Sequence, residues 1–311
     1  MKIWIALLLL AFLIISLVSY LIPTKINVHQ TITIPVNTRA FTRKFLDVEN
    51  WQWWPGARNN QNSLPQFSYN GNTYTVIEKK MTSIVIEVAN GKDSTITQLV
   101  FIPVMSDTVQ LNWLVVKQTG RNPFSRLQKS SWITRVKEDL STILGRIRSF
   151  YSNEDNIYGL HIIITQVSDS NFIFTSSQSK DYPSTNQVYK LVDNLKKYIQ
   201  ANKARPMGYP MLNVFKANDT AFVTKVALPV DIELKDSGNI RYRWMLKGGN
   251  ILVGEVHGGP SKIDKAFLEM QNYLQDHQRN SPAIPYQSLI TDRRLEVDTN
   301  RWVTKLYWPV M

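Results

Sequence analysis

Two nine-residue segments near the end of the chain repeat each other and limit what this sequence can fold into. Residues 222–230 read FVTKVALPV and residues 302–310 read WVTKLYWPV, so five of the nine positions are identical. The segments begin 80 residues apart, and each follows a helix-like stretch and a short strand-like stretch. Such self-similarity predicts a duplicated domain in which two βαββ halves are related by a pseudo-two-fold axis. Pairing of the halves would leave a cleft along that axis.

The apolar pattern places one amphipathic helix in each half. Ser184 is a suitable N-cap for the first helix, and Ser261-x-x-Asp264 has the spacing of a capping box for the second. Apolar residues recur every three or four positions after both caps. The inward faces comprise Val188, Leu191, Val192, Leu195 and Ile199 in the first helix, and Ile263, Phe267, Met270 and Leu274 in the second. The repeats run over about residues 158–231 and 239–311.

A 20-residue uncharged run, Ile3–Ile22, precedes the first predicted strand. A helix of this length spans roughly 30 Å at about 1.5 Å per residue, which is the thickness of a bilayer's hydrocarbon core. A cleaved signal peptide has a shorter apolar stretch of about 7–15 residues, and no small-x-small cleavage pair follows this run. We therefore expect residues 1–23 to form a transmembrane signal anchor. The amino terminus and Lys2 favour a single-pass topology with the bulk of the chain on the outer (periplasmic or extracytoplasmic) side.

Residues 24–152 show the pattern of one antiparallel α+β domain. Alternating apolar residues predict a first strand at residues 26–36, and a short helix capped by Asn37 follows it. Further strands are predicted at residues 73–78, 83–88, 95–103 and 108–117. An apolar stripe from Trp132 to Tyr151 then predicts a long amphipathic helix.

The order of these elements resembles the START-like, polyketide-cyclase-type (SRPBCC) superfamily. The resemblance rests on Ile32-Thr-Ile-Pro-Val36, the helix after it, and the pattern Asp47-x-x-x-Trp51-x-x-Trp54-Pro55. It implies a helix-grip fold, in which an antiparallel sheet wraps around the long C-terminal helix and leaves a cavity. The alternative role for Trp51, Trp53 and Trp54 is simple packing beneath the edge of the sheet.

Residues 158–311 resemble the GyrI-like, or AraC-type effector-binding, domain family. The matching elements are Gly258-Gly-Pro260 before the second helix, Tyr273-Leu-Gln275 within it, and the closing segment Thr304–Val310. The expected α+β fold is therefore an N-terminal transmembrane helix, a helix-grip START-like domain and a duplicated βαββ effector-binding domain. Members of the second family hold drug-like or cationic ligands against aromatic faces, often with an acidic residue near the start of the closing strand. Lys305 stands at that position here, which implies an anionic or carbonyl-bearing ligand instead.

Aromatic residues and lysines of the repeated half are the candidate ligand contacts. Strand alternation puts Lys305 and Tyr307 on one face of the last strand and Leu306 on the other. Lys225 holds the matching position in the first repeat, so both lysines could face one cleft. The predicted ligand-binding residues are Tyr209, Lys225, Tyr242, Trp244, Glu255, Tyr286, Lys305 and Tyr307. The alternative role for Lys305 is that of a surface lysine whose ammonium reaches water.

The sequence has no recognisable catalytic or cofactor motif. It contains no cysteine, no phosphate-binding Gly-rich loop, no Gly-x-Ser-x-Gly and no His-Glu-x-x-His. We therefore expect no cofactor and no metal site, and we assign no catalytic residue. Some members of the resembled family are hydrolases with a catalytic glutamate, and Glu255, Glu296 and Asp298 are the local candidates for such a carboxylate.

The net charge of +12 is concentrated in the part nearest the predicted anchor. Residues 24–150 carry +8, and residues 151–311 carry +3. This excess suits anionic headgroups, although a solvated basic helix face is the alternative, and no nucleic-acid-binding motif accompanies it.

These features predict a membrane-anchored protein that binds a small hydrophobic or amphipathic ligand, as a sensor or a binder of amphipathic or aromatic compounds. Its partners would be that ligand and the membrane, with no nucleic acid expected and the protein partner unknown. Two alternatives stay open: a hydrolase or cyclase that uses a cleft carboxylate, and a structural or partner-binding envelope protein.

Overall fold

The structure is a computed structural model that describes residues 2–48, 51, 54, 65–120, 122–168, 171–218 and 220–311. The chain forms two compact units, Met1–Ile157 and Tyr158–Met311. Both units combine helices with antiparallel sheets, which confirms the predicted α+β class. Trp53 and Pro55, which belong to the tryptophan pattern of the sequence, lie outside the described residues.

The apolar N-terminal run forms helix α1, Lys2–Leu21. Its exposed apolar side chains include Ile3, Trp4, Leu7, Leu10, Phe12, Leu13, Ile14, Leu17, Tyr20 and Leu21. The segment just after the helix is held by Thr119, whose hydroxyl donates to the Pro23 carbonyl at 2.9 Å. Over the described residues, which omit several α1 side chains, no helix combines the length and the apolarity needed to cross a bilayer.

The first unit is a six-stranded antiparallel sheet with one long helix. Its elements are β1 (Lys25–Pro35), α2 (Thr38–Phe45), β2 (Gln66–Tyr69), β3 (Asn72–Lys79), β4 (Ser83–Ala89), β5 (Ser94–Met105), β6 (Thr108–Gln118), α3 (Pro123–Tyr151) and the short α4 (Glu154–Tyr158). The strands lie in the order β1-β6-β5-β4-β3-β2, so the first strand pairs with the last. The sequence pattern predicted these elements except β2 and α4.

Aromatic side chains fill the interior between this sheet and its helices. Trp51 and Trp54 are each 2% exposed, and their rings lie 5.4 Å and 5.0 Å from the ring of Phe67. Trp113 is fully buried, and its indole N–H donates to the Thr97 hydroxyl at 3.0 Å. The described tryptophans of the sequence pattern are therefore packed into this core.

The second unit is one eight-stranded antiparallel sheet with two helices. Its elements are β7 (Ile162–Gln166), β8 (Asn171–Ser179), α5 (Thr185–Ala201), β9 (Met211–Asn218), β10 (Ala221–Pro229), β11 (Arg241–Trp244), β12 (Asn250–His257), α6 (Pro260–Asp276), β13 (Tyr286–Leu289) and β14 (Val303–Pro309). The strand order β11-β8-β10-β9-β13-β14-β12-β7 is symmetric about the central β9–β13 pair. The two repeated segments therefore occupy the equivalent strands β10 and β14.

Each half of this unit contributes its first strand to the sheet of the other half. β7 pairs with β12, and β11 pairs with β8. Backbone hydrogen bonds of both halves therefore depend on a strand from the other half, so we expect the two repeats to fold as one unit.

The two helices start in different ways. Ser184 caps α5 as predicted and forms a capping box with Gln187. α6 differs from the prediction, because it begins at Pro260 with Gly259 as its N-cap and without a side-chain cap hydrogen bond. Proline is favoured at the first helical position, since it has no N–H to satisfy and its φ is already helical. The helix therefore starts ahead of Ser261, and its first turn has no side-chain cap.

Both helices lie on the same face of the sheet. Buried residues of α5 pack against Val226 and Leu228 of β10. On α6, the ring of Phe267 lies 6.2 Å from that of Trp308 in β14. The helix side and the open side of the sheet are therefore distinct surfaces.

Candidate functional site

Four of the predicted ligand contacts lie together on the open side of the sheet. Glu255 and Lys305 are cross-strand neighbours, and the Lys305 ammonium lies 3.6 Å from the Glu255 carboxylate. Tyr286 and Tyr307 are also cross-strand neighbours, and their rings stack with centroids 5.0 Å apart. The Glu255 carboxylate contacts His257 as well, at 3.0 Å. Lys305 is therefore balanced by Glu255, in an exposed ion pair of the kind that contributes little to stability.

Lys225 lies on the same open side, in β10. It pairs with Asn213 of β9, and its ammonium lies 5.3 Å from the ring centroid of Phe215. Strand register places Lys225 and Lys305 on one face of the sheet, in agreement with their matching positions in the two repeats. That face is the one that carries no helix.

The remaining predicted contacts lie elsewhere. Tyr242 packs against the core beneath α5, and its hydroxyl donates to the Asn171 side chain at 2.7 Å. Trp244 and Tyr209 are 65% and 53% exposed, in β11 and in the loop before β9. The structure therefore does not bring these three residues to the Lys305 surface.

A cavity of about 230 Å³ lies on the helix side, where the two halves meet. Its floor comes from the central strand pair, and its walls come from the first turns of α5 and α6. Its lining residues are Tyr182, Pro183, Ser184, Thr185, Val188, Tyr189, Leu212, Pro260, Ile263, Asp264, Gln287, Leu289, Arg293 and Trp302. The eight residues predicted from the sequence are not among them.

Arg293 is the basic residue of this cavity. Its Nη2 donates to the Gln287 side-chain oxygen and to the Thr304 hydroxyl, both at 3.0 Å. Its guanidinium carbon lies 4.7 Å from the ring centroid of Trp302. Burial lowers the pKa of the Arg293 guanidinium below its usual range, but arginine still remains a cation at neutral pH. Gln287 and Thr304 thus hold one edge of the guanidinium, and Trp302 covers one of its faces.

Two tyrosines bring further aromatic surface to the cavity. Burial raises the pKa values of Tyr182 and Tyr189, so both phenols stay neutral near pH 7. The Tyr189 hydroxyl accepts the Arg293 backbone N–H at 2.9 Å and donates to the Thr291 carbonyl at 3.3 Å. The loop that carries Arg293 is therefore fastened to α5.

Arg293 was not among the predicted contacts, because it stands beside Arg294 in the charged run of residues 291–299, which favours ion pairing within a loop. Arg294 does form such ion pairs, with Asp292 at 2.9 Å and with Asp193 at 3.0 Å. Arg293 points the other way, into the cavity. A loop has no fixed side-chain period, so the pattern could not separate the two arginines.

The three candidate carboxylates lie outside the cavity lining. Glu255 pairs with Lys305, whereas Glu296 and Asp298 lie within 4.0 Å and 3.7 Å of Arg301. Across the described part of the chain, no cluster of histidine and acidic side chains has the geometry of a metal site.

No protein-family model and no curated protein sequence matches the chain. Several solved structures are similar in fold. The EcmrR C-terminal domain aligns with 49% of this chain and 98% of its own, at 15% identity and a TM-score of 0.38. The di-domain ARO/CYC protein BexL from the BE-7585A biosynthetic pathway aligns with 92% of this chain and 85% of its own, at 11% identity and a TM-score of 0.34. A START superfamily protein from Mycobacterium smegmatis aligns with 39% of this chain and 98% of its own, at 16% identity and a TM-score of 0.24. At these scores the likenesses do not indicate what this chain binds.

Proposed function

We propose that this chain is a membrane-anchored binding protein whose second unit holds a small, partly apolar molecule in the cavity between the two helices. The observation that carries the proposal is a cavity with aromatic walls and one half-buried cation at the junction of two related halves. Ligand sites commonly combine such apolar walls with a small number of placed polar groups.

The size of the cavity limits the ligand. An apolar cavity of about 150 Å³ admits benzene. The cavity here, at about 230 Å³, has room for one ring with a short polar substituent. Tyr182, Tyr189 and Trp302 line the cavity, and a guanidinium already covers one face of the Tyr189 ring and one of the Trp302 ring. A ligand ring would contact the remaining aromatic surface, an arrangement worth about 0.5–1.5 kcal/mol per ring pair beyond the buried area.

Filling the cavity should weaken ligand binding without unfolding the protein. Val188, 5% exposed and part of the lining, is a suitable position, and we expect Val188→Phe to weaken ligand binding by about tenfold or more. Because the added ring enters empty space, stability should change by no more than about 1 kcal/mol. Calorimetry of the full chain in detergent, with benzoate, benzamide and benzamidine as probes, measures the effect.

Two controls locate the site. Val253→Phe puts the same ring on the open side of the sheet, next to Tyr307 in the register, and should leave binding unchanged. Lys305→Met tests the residues that the sequence predicted as ligand contacts, which remain a proposal for a shallower surface. Binding that survives in Val188→Phe and disappears in Lys305→Met would place the site on the open side.

The membrane anchor is the second part of the proposal. The uncharged run Ile3–Ile22 is long enough to span the hydrocarbon core, and α1 exposes large side chains such as Trp4, Leu13 and Leu17. Exposing this much apolar surface to water is unfavourable, by about 25 cal/mol per Å². The charge of Lys2, just before the apolar run, favours placing both units on the outer side.

Extraction separates an anchor from a surface attachment. We expect the full chain to stay in the membrane pellet after alkaline carbonate treatment, whereas a variant without residues 2–23 should appear in the supernatant. Release of the full chain by high salt alone would mean that the basic first unit binds headgroups and that α1 does not insert.

A further inference from the structure

We infer that the cavity selects a ring-sized anion, an aromatic carboxylate, and that Arg293 binds its carboxylate group. The inference rests on the proposed binding function and adds the charge and the size class of the ligand. Its basis is a half-buried cation that lines the cavity, has no counter-ion among the described residues, and is held in place by its neighbours.

Arg293 has no acidic partner among the residues that the structure describes. The nearest acid in sequence, Asp292, is engaged by Arg294, whose Nε and Nη2 donate to it at 3.1 Å and 2.9 Å. Asp193 is also bound by Arg294. Charges withdrawn from water in proteins are normally paired, so a half-buried guanidinium with no carboxylate beside it is a suitable partner for an anion.

Some N–H donors of the Arg293 guanidinium are available to a ligand. Arginine has five N–H donors in a planar fork. The described bonds of this side chain both come from Nη2, to Gln287 and Thr304. Nε and Nη1 make no hydrogen bond among the described residues, and the side chain lines the cavity. These donors suit a carboxylate, which can accept two parallel N–H bonds from one guanidinium.

The guanidinium is also pre-organised. Trp302 covers one face at 4.7 Å, and Gln287 and Thr304 fix one edge. Little rotational freedom remains to be lost when a ligand binds, which favours affinity. Trp302 itself is held in place, since its indole N–H donates to the Glu296 carbonyl at 3.0 Å.

The backbone dipoles at the starts of α5 and α6 also favour an anion in the cavity. The first turns of α5 and α6 both line the cavity, at Ser184 with Thr185 and at Pro260. Neither first turn contains an acidic residue, and α6 has no side-chain cap. Each helix start carries a partial positive charge of about half a unit, which adds to the field of Arg293.

Asp264 also lines the cavity, and its negative charge disfavours an anionic ligand. It lies near Tyr182 and is exposed to solvent, and it forms no ion pair with Arg293 among the described residues. Water screens an exposed carboxylate more than a half-buried guanidinium. The part of the cavity beside Arg293 is therefore positive, and the carboxylate of the ligand should lie there.

Benzoate, benzamide and benzamidine test this directly, because they share one shape and carry charges of −1, 0 and +1. With the full chain in detergent, we expect benzoate to bind about tenfold or more tightly than benzamide, and benzamidine to bind weakest. Arg293→Gln should reduce benzoate affinity to that of benzamide, and Arg293→Lys should retain part of the preference. Arg294→Gln, the adjacent residue with its own ion pairs, should leave the ranking unchanged, and Asp264→Asn should leave or raise benzoate affinity.

The outcomes distinguish this inference from the function on which it rests. Tighter binding of benzamide or benzamidine than of benzoate, or benzoate affinity unchanged in Arg293→Gln, would overturn the charge assignment and leave the cavity as a binding site. Failure of all three probes to bind would overturn both. The ranking on the unaltered protein decides the matter even if Arg293→Gln does not fold.

Discussion

Replacing Asp139 with asparagine should lower the free energy of unfolding by about 3 kcal/mol. Asp139 lies on α3 and is 4% exposed. Its carboxylate accepts hydrogen bonds from the side-chain amides of Asn70 and Asn72, at 2.7 Å and 2.8 Å, and from the Tyr74 hydroxyl at 3.3 Å. An asparagine at position 139 would replace one of the two acceptor oxygens with an NH₂ group. That group would face a side chain that itself donates, so one hydrogen bond would be lost. Asn72 cannot turn over to compensate, because its oxygen already accepts the Trp132 indole N–H at 2.9 Å.

Urea unfolding followed by tryptophan fluorescence measures this effect, since Trp132 reports on the network. Glu138→Gln is the matched control, because Glu138 is the exposed neighbour on the same helix and should change stability by no more than about 0.5 kcal/mol. Equal effects of the two substitutions would show that the Asp139 network does not hold α3 to the β2–β3 hairpin.

A comparable loss is expected in the second unit from Leu306→Ala. Leu306 is fully buried on the helix side of β14, between Gly254 and Gln287 in the neighbouring strands. Removing its methyl groups leaves a void in a packed layer, and substitutions of this kind cost about 2–5 kcal/mol. The change should appear as a lower urea midpoint with an unchanged dependence on denaturant.

Val303→Ala, on the same strand, is the matched control for Leu306→Ala. Val303 lies on the open side and is half-buried, so its loss should cost about 1 kcal/mol or less. A larger effect at Val303 than at Leu306 would contradict the assignment of the two faces of the sheet.

Local patterns predicted much of the fold. Ser184 and Asn37 cap helices because their side chains reach the first backbone N–H groups, an interaction within four residues. The repeat in sequence predicted equivalent strands, and β10 and β14 have equivalent places in the sheet. Strand alternation also separated Lys305 from Leu306 correctly, because successive side chains point to opposite faces.

The features that the sequence did not predict depend on contacts between residues far apart in the chain. The exchange of β7 and β11 between the halves depends on pairings between distant strands, and no short-range pattern records it. Alternation separated the two faces of the sheet, and the polar residue types led us to expect the cleft on the Lys305 face, whereas the cavity lies on the helix side. The predicted contacts Lys225 and Lys305 lie on the open side, whereas Arg293 reaches the cavity from an irregular loop.

The central claim is that a small molecule occupies the cavity next to Trp302. The most direct measurement is the set of tryptophan indole ¹H–¹⁵N resonances of the full chain in detergent during a benzoate titration. Trp302 should show the largest shift, and Trp244, exposed on the edge strand β11, should show none. A titration in which Trp244 moves and Trp302 does not, or in which no indole resonance moves, would contradict the account.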